Sequence, residues 1–184
     1  MKIGITGSLS SGKSSVAKIL SKKQSLLFSA DKEVKNLFSN NRFNKKIKKK
    51  FKIKRKNIKE EIKIRLLKEE ISLKELGKII HPFVRRRMKE FYKKNVRKEI
   101  IFYEIPLLIE NKLMNFFDYI ILVIASKKNR LKRYLKNGGK KEMFYLLDKN
   151  QIPAKKKIKH CDYLIVNNKS KNFLKKKVSD IIKQ

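Results

Sequence analysis

Gly7-Ser8-Leu9-Ser10-Ser11-Gly12-Lys13-Ser14 decides the fold. The octet fits the pattern G-x-x-x-x-G-K-[ST], and its flanks are the ones that pattern needs. Lys2 to Thr6 alternates small and branched apolar residues and reads as a buried strand. Lys13 to Lys22 carries Val16, Ile19 and Leu20 at helical spacing. A strand that turns through glycines into a helix points its backbone amides inward, as a nest of donors for phosphate. The positive end of the helix adds to that field. Gly7, Ser10, Ser11, Gly12, Lys13, Ser14 and Ser15 are therefore the candidate nucleotide contacts. Lys13 is expected on the β- and γ-phosphates, and the Ser14 hydroxyl on Mg²⁺.

Working outward, Leu26 to Phe28 reads as a short second strand that leads into Ser29-Ala30-Asp31. From Lys32 to about Lys98 the pattern is helical and basic, and Pro82 marks a bend or a restart. Glu99 to Tyr103, Asp118 to Ala125 and Tyr163 to Val166 read as further strands. Ser126 is placed to cap a helix reaching Lys136, and Asn137-Gly138-Gly139 breaks it. Lys140 to Asn150 and Asn172 to Ile182 are again helical. Strands alternating with helices predict an α/β fold with a mainly parallel sheet covered on both faces. All 184 residues are expected in one domain.

The chain carries 51 Lys and Arg against 16 Asp and Glu, a net charge of +35. Such a surface attracts anionic ligands, nucleotides or nucleic acids alike. Lysine is spread over the whole chain, and Ile and Asn are also abundant, which is the amino-acid usage of AT-rich coding. The most biased segment, Lys45 to Lys59, keeps Ile47, Phe51, Ile53 and Ile58 and reads as a structured basic face. One cysteine, Cys161, excludes an internal disulfide and a multi-cysteine metal site, and is expected to be a small buried residue. No apolar run approaches the roughly 18 to 20 residues of a membrane span. The first residues run straight into the motif, which predicts no cleavable signal and a cytoplasmic location.

The phosphate loop alone does not separate kinases from other nucleotide hydrolases. Guanine-specific Asn-Lys-x-Asp is missing, and a small-molecule kinase is the remaining class for a chain this short. Later motifs sharpen this. With the loop, Ser29-Ala30-Asp31, Leu76-Gly77-Lys78-Ile79-Ile80-His81-Pro82-Phe83-Val84-Arg85 and Glu104-Ile105-Pro106-Leu107-Leu108-Ile109-Glu110 resemble the dephospho-CoA kinase family, in order and spacing. Gln151, Cys161-Asp162-Tyr163-Leu164-Ile165 and Asn167 are similar to the family's C-terminal pattern.

The resemblance implies a P-loop NTPase fold with a five-stranded parallel sheet in the order 2-3-1-4-5. It also implies a helical acceptor-binding insertion near residues 32 to 98 and a lid near 127 to 150. The implied reaction moves phosphate from ATP to the ribose 3′-hydroxyl of dephospho-CoA, with Mg²⁺. Asp31 takes the place of the base, a role that competes with capping the following helix. His81, Arg85 and Glu104 fall at the acceptor or metal-water positions, with simple packing as the alternative for His81. Arg133 and Lys136 are the candidate lid cations, together with Arg130 and Lys132. Asn167 falls where adenine binds, or is an ordinary turn residue. The chain departs from the family at Ser8 and Ser10, where glycines are common, at Ser29 in place of an aspartate, and at Gly77 in place of a glutamate. Two rival functions remain: another nucleoside or nucleoside-monophosphate kinase, and a basic nucleic-acid-binding protein with a vestigial loop.

Overall fold

The computed structural model describes residues 1–21 and 26–182. Five strands form one parallel sheet: β1 (Lys2–Gly7), β2 (Leu27–Ser29), β3 (Ile101–Glu104), β4 (Tyr119–Ile124) and β5 (Tyr163–Val166). Their order across the sheet is β2-β3-β1-β4-β5, as the family resemblance implies. β1 is central, with Ile3 opposite Phe102 on one side and Tyr119 on the other. Because every strand is parallel, Gly7, Ser29, Glu104, Ile124 and Val166 all end at the same edge, where ligands of open α/β sheets bind.

One face of the sheet is covered by α1 (Lys13–Leu20) and α9 (Lys171–Ile182), which also pack on each other. Ile5, Val16, Ala17, Ile121, Val123, Ile165, Leu174 and Val178 make the dry core between them. On the other face the Tyr103 ring is caged by Phe28, Phe91, Phe116 and Phe117, with centroids 5.5–5.9 Å away. Burial raises the Tyr103 phenol well above its ordinary pKa of 10.0. Gly4 is required in this packing. A Cβ there would sit 2.7 Å from Leu108 Cδ1 and 3.0 Å from the Phe117 ring.

The chain divides into two compact units, residues 1–29 with 91–184, and residues 30–90. The second holds α2 (Ala30–Leu37), α3 (Asn41–Phe51), α4 (Ile58–Leu67) and most of α5 (Leu73–Asn95), so the single helical stretch of the sequence reading is several helices. The starts of α3, α4 and α5 have side-chain caps. Asn40 accepts from Phe43 N at 3.0 Å and Asn57 from Glu60 N at 3.2 Å. Ser72 and Glu75 form a reciprocal capping box, and these bonds hold the Glu75 carboxyl below its ordinary range. Phe43, Ile47, Phe51, Ile53 and Ile58 are buried, so the Lys45–Lys59 segment is a basic face over an apolar one.

α5 runs unbroken through Pro82, so the helix does not restart there. Other elements begin or end a residue or two from their expected limits: β2 is shifted to Leu27–Ser29 and β4 loses a residue at each end. The expected end of α1 at Lys22 lies outside the described residues. Two further helices follow, α6 (Lys127–Lys136) and α7 (Lys141–Lys149), then a short α8 (Ala154–Lys157). Ser126 caps α6 by accepting from Asn129 N at 3.3 Å. Among the described residues no helix is long and apolar enough to cross a membrane.

Candidate active site

The phosphate loop joins the C-terminal end of β1 to the N-terminus of α1, at the ligand-binding edge of the sheet. Its two signature glycines are conformationally obligatory. Gly7 has φ +150° and a Cβ there would lie 2.1 Å from the Val123 carbonyl. Gly12 has φ +101° and a Cβ there would lie 2.1 Å from Asn167 Nδ2. Ser10 also adopts a left-handed φ of 56°, a conformation that suits glycine.

Lys13 is buried, and its ammonium donates to the carbonyls of Gly7 at 3.1 Å and Ser8 at 2.9 Å. These bonds keep the ammonium inside the loop, where phosphate oxygens would lie. The Ser11 hydroxyl is buried in the loop with no hydrogen-bond partner among the described residues. Ser14 and Ser15 are exposed at the start of α1.

Glu104 joins the loop to the sheet. Its buried carboxylate accepts from Ser14 Oγ at 2.5 Å through Oε1 and from Ser29 Oγ at 3.1 Å through Oε2. Ser29 therefore has a definite job: its hydroxyl orients Glu104, where an aspartate would bring a second carboxylate against it. The set of Ser14, Glu104 and open loop amides is made of hard oxygen donors and phosphate-seeking N–H groups. It suits Mg²⁺, which takes one or two carboxylates and completes its shell with phosphate oxygens and water. Among the described residues no cluster of three or more His, Cys, Asp or Glu could hold a metal without a ligand's help.

The loop is braced from the far side by groups distant in sequence. Asn167 is buried and donates from Nδ2 to Ser11 O at 2.8 Å. Arg133 donates to Ser11 O at 3.3 Å and to Asn167 O at 2.9 Å. Leu9 N donates to Gln151 Oε1 at 2.9 Å, and Arg130 reaches Leu9 O at 3.5 Å while paired with Asp148 at 2.5 Å. Of the candidate cations, α6 therefore turns Arg130 and Arg133 to the loop. Lys132 and Lys136 are exposed, and no hydrogen bond among the described residues ties them to it. The amide of Asn167, a candidate for the adenine position or an ordinary turn residue, is bonded to the loop. Arg130 enters from the sequence as a candidate lid cation, whereas Gln151 was given no role at the loop and no local pattern signals its contact with Leu9.

In the second unit, α2 begins at Ala30, so Asp31 lies within its first turn and not at the capping position before it. His81 and Arg85 are one turn apart on α5. Burial, and secondarily the Arg85 charge, hold the His81 imidazole below its ordinary pKa of 6.5. Gly77, one turn earlier, makes room for that ring: a Cβ there would meet His81 Cε1 at 2.9 Å.

Comparison with known proteins agrees with this geometry. The family model described as dephospho-CoA kinase matches residues 1–172. A dephospho-CoA kinase from Fusobacterium nucleatum is 34% identical, with 97% of this chain and 95% of that protein covered. One from Protochlamydia amoebophila is 31% identical over 100% of this chain and 95% of its own length. The solved dephospho-CoA kinase from Campylobacter jejuni, 24% identical, superposes with a TM-score of 0.68 over 100% of this chain and 96% of that one, a likeness of fold. A phosphate loop on the central strand, a carboxylate beside its serine and a family match over nearly the whole length lead to one assignment: the chain belongs to the dephospho-CoA kinase family.

Proposed function

We infer that the chain transfers the γ-phosphate of ATP to the ribose 3′-hydroxyl of dephospho-CoA, giving coenzyme A and ADP. The observation that carries this reading is Glu104, buried at the sheet edge and held by hydroxyls from the phosphate loop and from β2. It supplies the oxygen-donor corner that a triphosphate-dependent kinase needs, in a chain whose relatives are dephospho-CoA kinases.

The loop amides and Lys13 bind the β- and γ-phosphates, with Lys13 leaving its two carbonyls for them. Ser14 and Glu104 would hold Mg²⁺, which supplies neutralisation of phosphate charge when bound. Asp31, two residues beyond Ser29 in the chain, accepts the proton of the 3′-hydroxyl as that oxygen bonds to the γ-phosphorus. The bond from phosphorus to the bridging β-oxygen breaks, and its electron pair leaves with ADP. Little covalent work falls to the protein, so alignment and charge placement carry the rate. Arg133 steadies the loop from α6, and closure of the 127–150 segment excludes water that would otherwise hydrolyse ATP. His81, neutral near pH 7, and Arg85 contact the acceptor nucleotide and its phosphate.

A coupled ADP-release assay over a panel of acceptors tests the reading. Dephospho-CoA should support turnover with ATP and Mg²⁺, and nucleosides or nucleoside monophosphates should not. Turnover with a nucleoside and none with dephospho-CoA would replace it with a nucleoside kinase. Tight, salt-sensitive nucleic-acid binding without phosphotransfer would replace it with a binding protein.

A further inference from the structure

Behind the phosphate loop lies a charge pair that the reaction does not use. Lys157, on α8, is fully buried, and its Nζ stands 2.6 Å from Glu110 Oε1. The contact is ionic and not aligned as a hydrogen bond. The same Glu110 oxygen accepts from Ile152 N at 3.1 Å. Ile152 follows Gln151, whose Oε1 takes the Leu9 amide of the loop at 2.9 Å. The Leu9 carbonyl, in the next peptide group, faces Arg130. Contacts thus run from Lys157 to Glu110, to the 151–152 backbone, and to a loop peptide between Ser8 and Ser10.

We propose that Glu110 and Lys157 are positioning residues for nucleotide binding. By fixing the 151–152 backbone they set the Gln151 side chain, and Gln151 fixes the orientation of the Ser8–Leu9 peptide in the phosphate loop. In a chain with 51 cations and 16 acids, an unpaired lysine is easily solvated at the surface. Burying one completely is costly unless a carboxylate meets it. The second Glu110 oxygen is buried without a hydrogen-bond partner among the described residues, so Glu110 is held by Oε1 and little else. Loss of the Lys157 charge therefore leaves a buried anion free to draw the 151–152 backbone out of register. The inference rests on the loop binding ATP, as proposed above, and not on the identity of the acceptor.

The test measures the affinity of a fluorescent ATP analogue, the KM for ATP and for dephospho-CoA, and thermal stability, on the full chain. Gln151→Met keeps the length of the side chain and removes the acceptor for Leu9 N. Lys157→Met removes the buried cation. Both should weaken nucleotide binding about three- to tenfold, the range expected for one misplaced hydrogen bond, with the acceptor KM unchanged. Adding Glu110→Gln to Lys157→Met neutralises both partners, keeps the acceptor for Ile152 N, and should bring affinity back to within about twofold of the parent. Wild-type nucleotide affinity in folded Gln151→Met and Lys157→Met, however far their melting temperatures fall, would reduce the pair to a structural prop and overturn the proposal. A parent chain that binds the analogue yet does not phosphorylate dephospho-CoA would sink the acceptor assignment and leave this test readable. A parent chain that binds no ATP analogue would overturn both.

Discussion

Replacing Gly12 with alanine isolates what the loop geometry is worth. The added Cβ would lie 2.1 Å from Asn167 Nδ2, far inside contact distance, on a backbone with φ +101°. Two penalties follow. An L-residue in that region costs about 1–2 kcal/mol relative to glycine. Pushing Asn167 away breaks its bond to Ser11 O, which keeps Arg133, and leaves the buried Asn167 amide N–H unpaired at a cost of about 1–3 kcal/mol. Together they make about 2–5 kcal/mol, which in a chain of this size is a drop of roughly 4–20 °C in Tm. Differential scanning fluorimetry of Gly12→Ala, Asn167→Ala and the double variant reads this directly. The double variant should be less destabilised than the sum of the singles, since it contains no clash. Additive effects, or a Gly12→Ala variant melting within a degree of the parent, would refute the claim that Asn167 occupies the space a side chain needs.

Further outcomes test other residues. Lys13→Ala should lower kcat on the order of 10³-fold, because it removes the buried loop cation proposed to meet developing phosphate charge; stopped-flow or coupled assays measure it. Asp31→Asn should lower kcat on the order of 10²-fold or more and leave ATP affinity intact, and near-normal turnover would remove it from the role of base. By NMR, His81 should titrate below 6.5, with His81→Gln assigning the signal apart from His160. Its pKa is depressed in the folded chain, so its contribution to stability is full above 6.5 and is lost as pH falls through the folded value. Cys161 lies in the opposite sense: burial first, then Asp162, push its thiol up to about 11, with Lys157 opposing them. Alkylation by iodoacetamide should be slow at pH 8 and still rising above pH 10. Stability linked to this thiol is complete below its ordinary 9.0 and falls away as pH rises through 11.

Local patterns carried much of this structure. Glycine spacing located the loop, strong apolar runs located β1, β4 and β5, and Ser126 marked the start of α6. The sheet order came through family likeness, since nothing in alternation or turn chemistry says which strands are neighbours. The restart expected at Pro82 does not occur: the missing N–H weighs against a continuous helix, whereas burial of Leu76, Ile80 and Met88 favours α5 running through it. The loop braces were illegible for another reason. Leu9 meets Gln151 and Ser11 meets Asn167 across more than 140 residues of chain, and no periodicity encodes such a pairing. Ser29 looked like a loss when measured against an aspartate; only the distance to Glu104 shows a hydroxyl employed in its own right.

Lys13 rests on two carbonyls of its own loop, and this has a bearing on which nucleotides the site accepts. An arriving ligand does not meet a waiting cation but competes for one. The bonds it already makes, those to the Gly7 and Ser8 carbonyls among them, set the threshold, and a monophosphate that cannot extend to the ammonium gains nothing from that exchange. A triphosphate brings charged oxygens to the lysine and clears the threshold easily. Discrimination by phosphate count would then be built into the resting loop, so AMP should be a poor competitor of ATP even where the adenosine moiety fits equally well.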